Sequence, residues 1–539
     1  MHMTNPPYNH AAACPPYLLH HSVELGARRR PDHEAFRFEG TALSYAALDD
    51  RATRLARTLR DHGVVRGDRV GIFMNKCLEM PLAVYGILKA GAAYVPLDPA
   101  MPAERLRTIA IHCGIRHLVT QPGKMRILDD AVADTPLETL IGVESAPGDR
   151  KAVPWSEVDS APALLEPFPL MEQDLAYIMY TSGSTGTPKG IMHTHASGLA
   201  YARMSAGTYD LRPDDRLGNH SPLHFDMSTL EYFSGPLAGA CTVLIPEEYT
   251  RMPASLSQLI EKERLTIWYS VPFALIQMGL RGALDQRDLT SLRWVLFGGE
   301  PFPTRWLREW MERLPGARFS NVYGPAEVNQ CTFWHVPEPP APDADAVPLG
   351  HIWPNAEGRI LDSDDRPVPS GEAGELVVRT PTMMQGYWAR PDLNERTFYR
   401  ERDESGFERI FYRTGDLVRE DNEGILHFLG RIDRQVKVRG HRVELDEIEA
   451  ALSECPPVAE GAVFTVPGED GDTRIEAAVT LREDAGEDAT AVLAFLRTRL
   501  PAYALPRHIA VMDGFPRTGT GKIDRRALRE GAMAPETGH

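Results

Sequence analysis

A chain of 539 residues is too long for a single hydrophobic core, and its formal charge of −17 argues against a nucleic-acid footprint. Hydrophobic content of 43% and charged content of 25% are those of an ordinary globular protein. The six cysteines (Cys14, Cys77, Cys113, Cys241, Cys331, Cys455) match neither a zinc site nor a disulfide scaffold, residues 1–7 lack the pattern of a signal peptide, and no apolar run approaches membrane-spanning length, so a reducing cytoplasm is the simplest compartment.

In chain order, Leu48, Ala52, Leu55, Ala56 and Leu59 fall at helical spacing and predict an amphipathic helix. Arg69 to Met74 reads as a buried strand, and a helix from Pro81 to Ala90 leads into Ala93-Tyr94-Val95-Pro96. This alternation predicts an α/β fold with mostly parallel sheets flanked by helices. The stretch from Glu144 to Asp174, rich in proline and acid, reads as connecting loop, and Pro337 to Pro342 as a second, extended irregular segment. Charged residues cluster from Arg431 to Arg442, between two globular patterns, and mark a boundary at Asp433. On residues alone Asp433 is equally an ordinary turn aspartate. No internal repeat is present.

The run Tyr180-Thr181-Ser182-Gly183-Ser184-Thr185-Gly186-Thr187-Pro188-Lys189-Gly190 carries phosphate chemistry. Glycines let backbone N–H groups approach a polyanion, hydroxyls add donors, and Lys189 adds charge. It is not a Walker A loop, because counting from Gly183 lands on Pro188, and Gly519-Thr520-Gly521-Lys522 is followed by Ile523. No dinucleotide fingerprint follows a predicted strand.

Further motifs follow in order. They include Leu43-Ser44-Tyr45, Leu88 to Asp98, Asn321-Val322-Tyr323-Gly324-Pro325-Ala326-Glu327, Gly374-Glu375-Leu376, Tyr412 to Leu417, Gly430 to Lys437, Leu500 to Tyr503, and Gly521-Lys522-Ile523-Asp524. Together with the hydroxyl-rich loop, this ordered set resembles the adenylate-forming superfamily along nearly the whole chain. Within it, the resemblance is to stand-alone amino-acid adenylation enzymes of nonribosomal peptide and polyketide biosynthesis.

The resemblance implies a large N-terminal domain (1–432) with the ATP and amino-acid sites, and a small mobile α+β C-terminal domain (433–539) hinged at Asp433. It implies that Thr181, Ser182, Gly183, Ser184, Thr185, Gly186 and Lys189 enclose the pyrophosphate end of ATP. Tyr323 would stack on adenine, with Asn321 and Gly299 lining that pocket. Asp416 would bind the ribose hydroxyls beside Arg431, and Glu327 would hold Mg²⁺. As a lone residue Lys522 would be a solvated surface charge. In the family the matching lysine bridges the substrate carboxylate and the α-phosphate, a contact worth about 3–4 kcal/mol. Ala326 departs from the family pattern, which has threonine there.

Phe225-Asp226-Met227-Ser228 points to an amino acid as substrate. In the amino-acid branch this aspartate pairs with the α-ammonium, and a buried ammonium lacking that partner costs about 3–5 kcal/mol. The family's pocket positions carry over to Asp226, Met227, Leu230, Tyr269 and Leu296. They continue through Gly298, Val322, Gln330, Cys331 and Lys522. The mostly apolar set suits a small neutral side chain. It is similar to that of prolyl-adenylating enzymes of pyrrole pathways but departs at Met227, Gly298, Val322 and Gln330. L-proline is therefore only slightly ahead of L-alanine.

Leu217-Gly218-Asn219-His220-Ser221 superficially resembles a carrier protein's phosphopantetheine motif, but it falls inside the large domain, and the chain ends soon after Lys522. The expected acceptor is accordingly a discrete carrier protein in trans, with Arg434, Arg439 and Arg442 as candidate docking cations. An acyl- or aryl-CoA ligase of the same superfamily is the alternative. No nucleic acid or membrane partner is expected.

Overall fold

The computed structural model of the chain describes residues 15–165, 169–181, 188–341, 344, 346–468, 473–482, 489–518 and 523–533. Ser182, Gly183, Ser184, Thr185, Gly186 and Lys522, all expected in the site, lie outside the described residues.

The predicted amphipathic helix spans Tyr45–Asp61, and Leu48, Ala52, Leu55, Ala56 and Leu59 are all fully buried. Ser44 caps it by accepting the Ala47 N–H at 3.2 Å, an interaction worth about 1 kcal/mol. The helix Glu79–Ala90 packs beside it, stopped by Gly91 in the left-handed conformation.

These helices cover an eight-stranded sheet. Its order is Lys151–Val153, Thr139–Ile141, His117–Thr120, Arg69–Phe73, Ala93–Pro96, Leu175–Thr181, Lys189–Thr194 and Gly386–Tyr387. All pairings are parallel up to Leu175–Thr181, and the last two are antiparallel. A nine-stranded sheet has a parallel centre from Glu34–Phe38 through Cys241–Leu244, Arg216–Asn219, Ile267–Ser270 and Trp294–Gly298 to Arg318–Tyr323. Antiparallel strands extend both of its edges. Arg216–Asn219 is thus a central strand, which suits Leu217 to Ser221 to a core and not to a carrier's prosthetic-group loop.

Two features depart from the expectations above. The stretch from Glu144 to Asp174 is not all loop: Lys151–Val153 edges the eight-stranded sheet and Trp155–Ser160 is helical, with Val153 and Val158 fully buried. Elements this short show no periodicity to read. In addition, Glu357–Leu361, Ala373–Arg379, Phe398–Arg402, Glu408–Glu420 and Leu426–Arg431 build a third, wholly antiparallel sheet.

A smaller C-terminal domain follows. The hairpin Gln435–Val438 and His441–Glu444 leads into Leu445–Ser453, which packs on Val458–Pro467 of a three-stranded sheet. Its core, from Val438 to Ile509, draws on no residue before 436.

Candidate functional site

The site sits where the parallel strands of the nine-stranded sheet end, the usual ligand position in open α/β sheets. Adjacent strands place Tyr269 beside Leu296, Phe297 beside Asn321, and Gly298 beside Val322. A Cβ on Gly298 would lie 2.1 Å from the Val322 carbonyl oxygen, so the close strand approach itself demands glycine. Gly299 follows in the left-handed region, at φ +90°. Met227, Leu230, Tyr269, Leu296 and Val322 share one buried cluster, joined by Tyr201, Tyr209 and Trp353, three residues that no motif had marked. Cys331 falls in a neighbouring cluster with Ile191, Val328 and Tyr387, and burial pushes its thiol up. Gln330 is buried with its amide nitrogen on the Tyr209 hydroxyl at 2.9 Å.

Asp226 opens a single 3₁₀ turn, followed by a π-helical turn, Leu230–Ser234. One of its oxygens accepts the Met227 N–H at 3.0 Å. Burial raises this carboxyl to about 6, with Glu327 adding to the rise and Lys437 opposing it.

The Tyr323 hydroxyl donates to Asp416, and Arg431 donates to its other oxygen. Burial raises Asp416 despite Arg431. Asn321 holds the Pro348 carbonyl at 2.7 Å. Arg431 also grips both oxygens of Asp433 at 2.7 Å, tying Asp416 to the expected hinge.

Thr181 and Lys189 are cross-strand partners in an antiparallel pair, so the hydroxyl-rich run joins two strands, unlike the strand-to-helix Walker loop. The Thr181 hydroxyl is buried without a hydrogen-bond partner among the described residues, as a group waiting for a ligand would be. The Ala326 backbone carbonyl accepts from His193 at 2.9 Å, and the side-chain hydroxyl of the family's threonine is absent here.

The C-terminal hairpin enters this site, a placement that no local sequence signal announces. Glu327 is fully buried, with one oxygen receiving the Tyr387 hydroxyl at 2.7 Å and the other Arg442 at 2.6 Å. Burial alone would raise Glu327, but Arg442 and Lys189 overcome it and hold the carboxyl at about 2. Lys189 faces Glu444 at 3.4 Å and lies 5.4 Å from the Tyr387 ring centre. Lys437 is half-buried within electrostatic reach of Asp226 and Asp416, and desolvation and Arg442 lower it. Gly440 is in the left-handed region at φ +82°, and a Cβ there would meet Val271 at 2.4 Å. His441 stacks on Tyr503 at 3.9 Å and meets Phe225 edge-on at 5.2 Å. Arg105 and Glu447 add a buried pair at 2.8 Å.

The hairpin therefore supplies, from within the chain, a carboxylate for Lys189 and a cation for Glu327. An ionised Glu327 fits Mg²⁺, which takes one or two protein carboxylates and fills its remaining positions with phosphates and water. It does so with Arg442 withdrawn, because both carboxylate oxygens are otherwise occupied. The same pairs overturn the expected docking patch. Arg442 is buried on Glu327, Arg434 is neutralised by Asp446 and Glu449, and only Arg439 is exposed, over the Phe273 ring. The charged run from Arg431 to Arg442 reads as a solvated face, but Arg431, Arg434 and Arg442 each pair with carboxylates.

Among the described residues no helix is long and apolar enough to cross a membrane, and the five described cysteines are unpaired.

The sequence profile of AMP-binding enzymes matches residues 23–388, and that of the AMP-binding enzyme C-terminal domain matches residues 447–522. The chain is 34% identical over 519 residues to an L-proline--[L-prolyl-carrier protein] ligase of Pseudomonas fluorescens, covering 95% of this chain and 98% of that one. It is 36% identical over 513 residues to a linear gramicidin synthase of Brevibacillus parabrevis, covering 95% of this chain but only 10% of that much longer protein. Among solved structures, the amide bond synthetase McbA from Marinactinospora thermotolerans superimposes with a TM-score of 0.82 at 26% identity, covering 95% of this chain and 99% of that one.

Proposed function

The chain belongs to the family of AMP-binding enzymes and is an AMP-forming ligase, and on that premise we propose that it activates a small neutral L-amino acid for a carrier protein. L-proline is the first candidate and L-alanine the next. Relatives named as proline–carrier protein ligases support this reading, and so does the Asp226 carboxylate beside a closed, mostly apolar cluster. Asp226 is the observation that carries it.

In the first step a carboxylate oxygen of the amino acid attacks the α-phosphorus of ATP, and the bond to pyrophosphate breaks. Asp226 receives the α-ammonium, while Met227, Leu230, Tyr269, Leu296, Gly298, Val322, Gln330 and Cys331 shape the side-chain site. Tyr323, Asn321 and Gly299 take the adenine, and Asp416 with Arg431 takes the ribose. Lys189, with Thr181 and the hydroxyl-rich loop, binds the departing phosphates, and Lys522 stabilises charge at the reacting centre. Mg²⁺ on Glu327 would neutralise phosphate charge. In the second step the phosphopantetheine sulfur of a separate carrier protein attacks the acyl carbon, and AMP leaves. Lys437 puts a cation between the Asp226 and Asp416 sites, where charge develops on that leaving group.

Residues 1–432 and 433–539 act as two bodies hinged at Asp433. The hairpin-in arrangement belongs to the second step, since its Glu444 and Arg442 occupy the groups that the pyrophosphate end would use.

The test is amino-acid-dependent exchange of labelled pyrophosphate into ATP, with benzoate and octanoate as controls. Exchange with proline or alanine, abolished by Asp226→Ala, is the expected result. Exchange with the controls alone would mark an acyl or aryl ligase.

A further inference from the structure

We propose that the amino acid activated here carries a side-chain hydroxyl, received by the amide of Gln330. The proposal rests on the amino-acid reading of Asp226 and narrows it, within the small neutral class, to hydroxylated members.

Gln330 is 1% exposed. Its Nε2 donates to the Tyr209 hydroxyl at 2.9 Å and points at the Thr332 carbonyl at 3.5 Å. A carbonyl only accepts, so the Thr332 oxygen must face the amide nitrogen, which orients the side chain. Oε1 is left buried with no hydrogen-bond donor among the described residues. An acceptor stripped of water without a replacement is costly, and such groups in native interiors call for a partner. The Tyr209 hydroxyl receives the Gln330 Nε2 proton and also meets Ser320, so its contact with the amide is to the nitrogen and not to Oε1.

The hydroxyl that holds Gln330 belongs to the cluster expected to line the substrate site. Tyr209 packs in the same cluster as Met227, Leu230, Tyr269, Leu296 and Val322, and Tyr269 feels both the Tyr209 hydroxyl and the Asp226 carboxylate. The backbone offers no retreat. The loop is folded so tightly that a Cβ on Gly324 would lie 2.6 Å from the Gln330 Cα.

The methylenes of proline or the methyl of alanine would leave Oε1 dry and unpaired. A hydroxyl donates to it. A charged side chain gains no ion pair from a neutral amide and meets apolar walls.

Pyrophosphate exchange with matched pairs tests this: alanine against serine, valine against threonine, and proline against the 4-hydroxyprolines. The expected result is kcat/KM about 10–100-fold higher for a hydroxylated member than for its plain congener. Gln330→Met, which keeps length but removes the amide, should bring that ratio to about one or below. Gln330→Leu serves as a second variant, with melting temperature confirming that each folds. A wild-type ratio of one or less in all pairs, or a ratio unmoved by either variant, overturns the proposal while leaving the amino-acid reading intact. Exchange with no amino acid removes that underlying reading and the proposal with it.

Discussion

Replacing Arg442 by methionine separates the two half-reactions. The guanidinium sits 2.6 Å from Glu327, which is fully buried, and the carboxyl is held at about 2 against an ordinary value of 4.5. Removing one partner of such a pair strands the other charge, at a cost of about 3–5 kcal/mol. On the proposed mechanism the cost falls on the hairpin-in arrangement alone, because a Glu327 that held Mg²⁺ would not need Arg442. The hairpin-in population should drop by about two to three and a half decades where it competes with open arrangements, at about 1.4 kcal/mol per decade. Arg442→Met should therefore keep pyrophosphate exchange within about threefold, while loading of a phosphopantetheinylated carrier falls by about two to three and a half decades. Single-turnover transfer from preformed aminoacyl adenylate measures the second step directly. An equal loss in both assays would refute the reasoning, since it would place Arg442 in adenylate formation.

Gly440→Ala should show the same split by a steric route. The left-handed backbone and the 2.4 Å approach to Val271 leave no room for a methyl, so transfer falls about tenfold or more while exchange persists. Asp226 predicts a pH limb. With its carboxyl raised to about 6, it is protonated below that pH and cannot pair with an ammonium. Log kcat/KM for the amino acid should therefore fall with unit slope below about pH 6, while KM for ATP stays flat. Glu231 is buried beside Asn219, and burial raises its carboxyl to about 8 from 4.5. A carboxyl raised on folding contributes stability that is present below the unfolded value and is lost as pH rises toward the folded value. Glu231→Gln should consequently melt a few degrees above the wild type at about pH 8, with the gap closing toward about pH 5. No gain at the higher pH would show that the carboxylate is accommodated when ionised.

Much of the molecule could be read from residue order alone. The helix Tyr45–Asp61 and the strand Arg69–Phe73 follow from local periodicity, because each buries one stripe or an unbroken apolar run. The positions of Asp226, Glu327, Tyr323 and Asp416 were legible because their motifs are contiguous and occur in a fixed order. The antiparallel third sheet was not. Glu408–Glu420 alternates buried with half-exposed positions only from Tyr412 to Val418 and carries Arg409, Arg413, Asp416 and Arg419 between its terminal glutamates, which reads equally well as a surface segment. Least legible of all was the hairpin. Lys437 and Arg442 lie in a charged run of the kind that ordinarily faces water, and nothing local marks them as withdrawn from it. Arg442 is buried because Glu327, 115 residues away in sequence, meets it with an opposite charge. Gln330 shows the same division. Its amide was visible as a departure from an apolar pattern, but only tertiary packing decided that Tyr209 takes one end of it and leaves the other unpaired. Sequence determines which groups are available and which local shapes they favour. Long-range packing decides which charges lose their water, because that depends on what surrounds them in space.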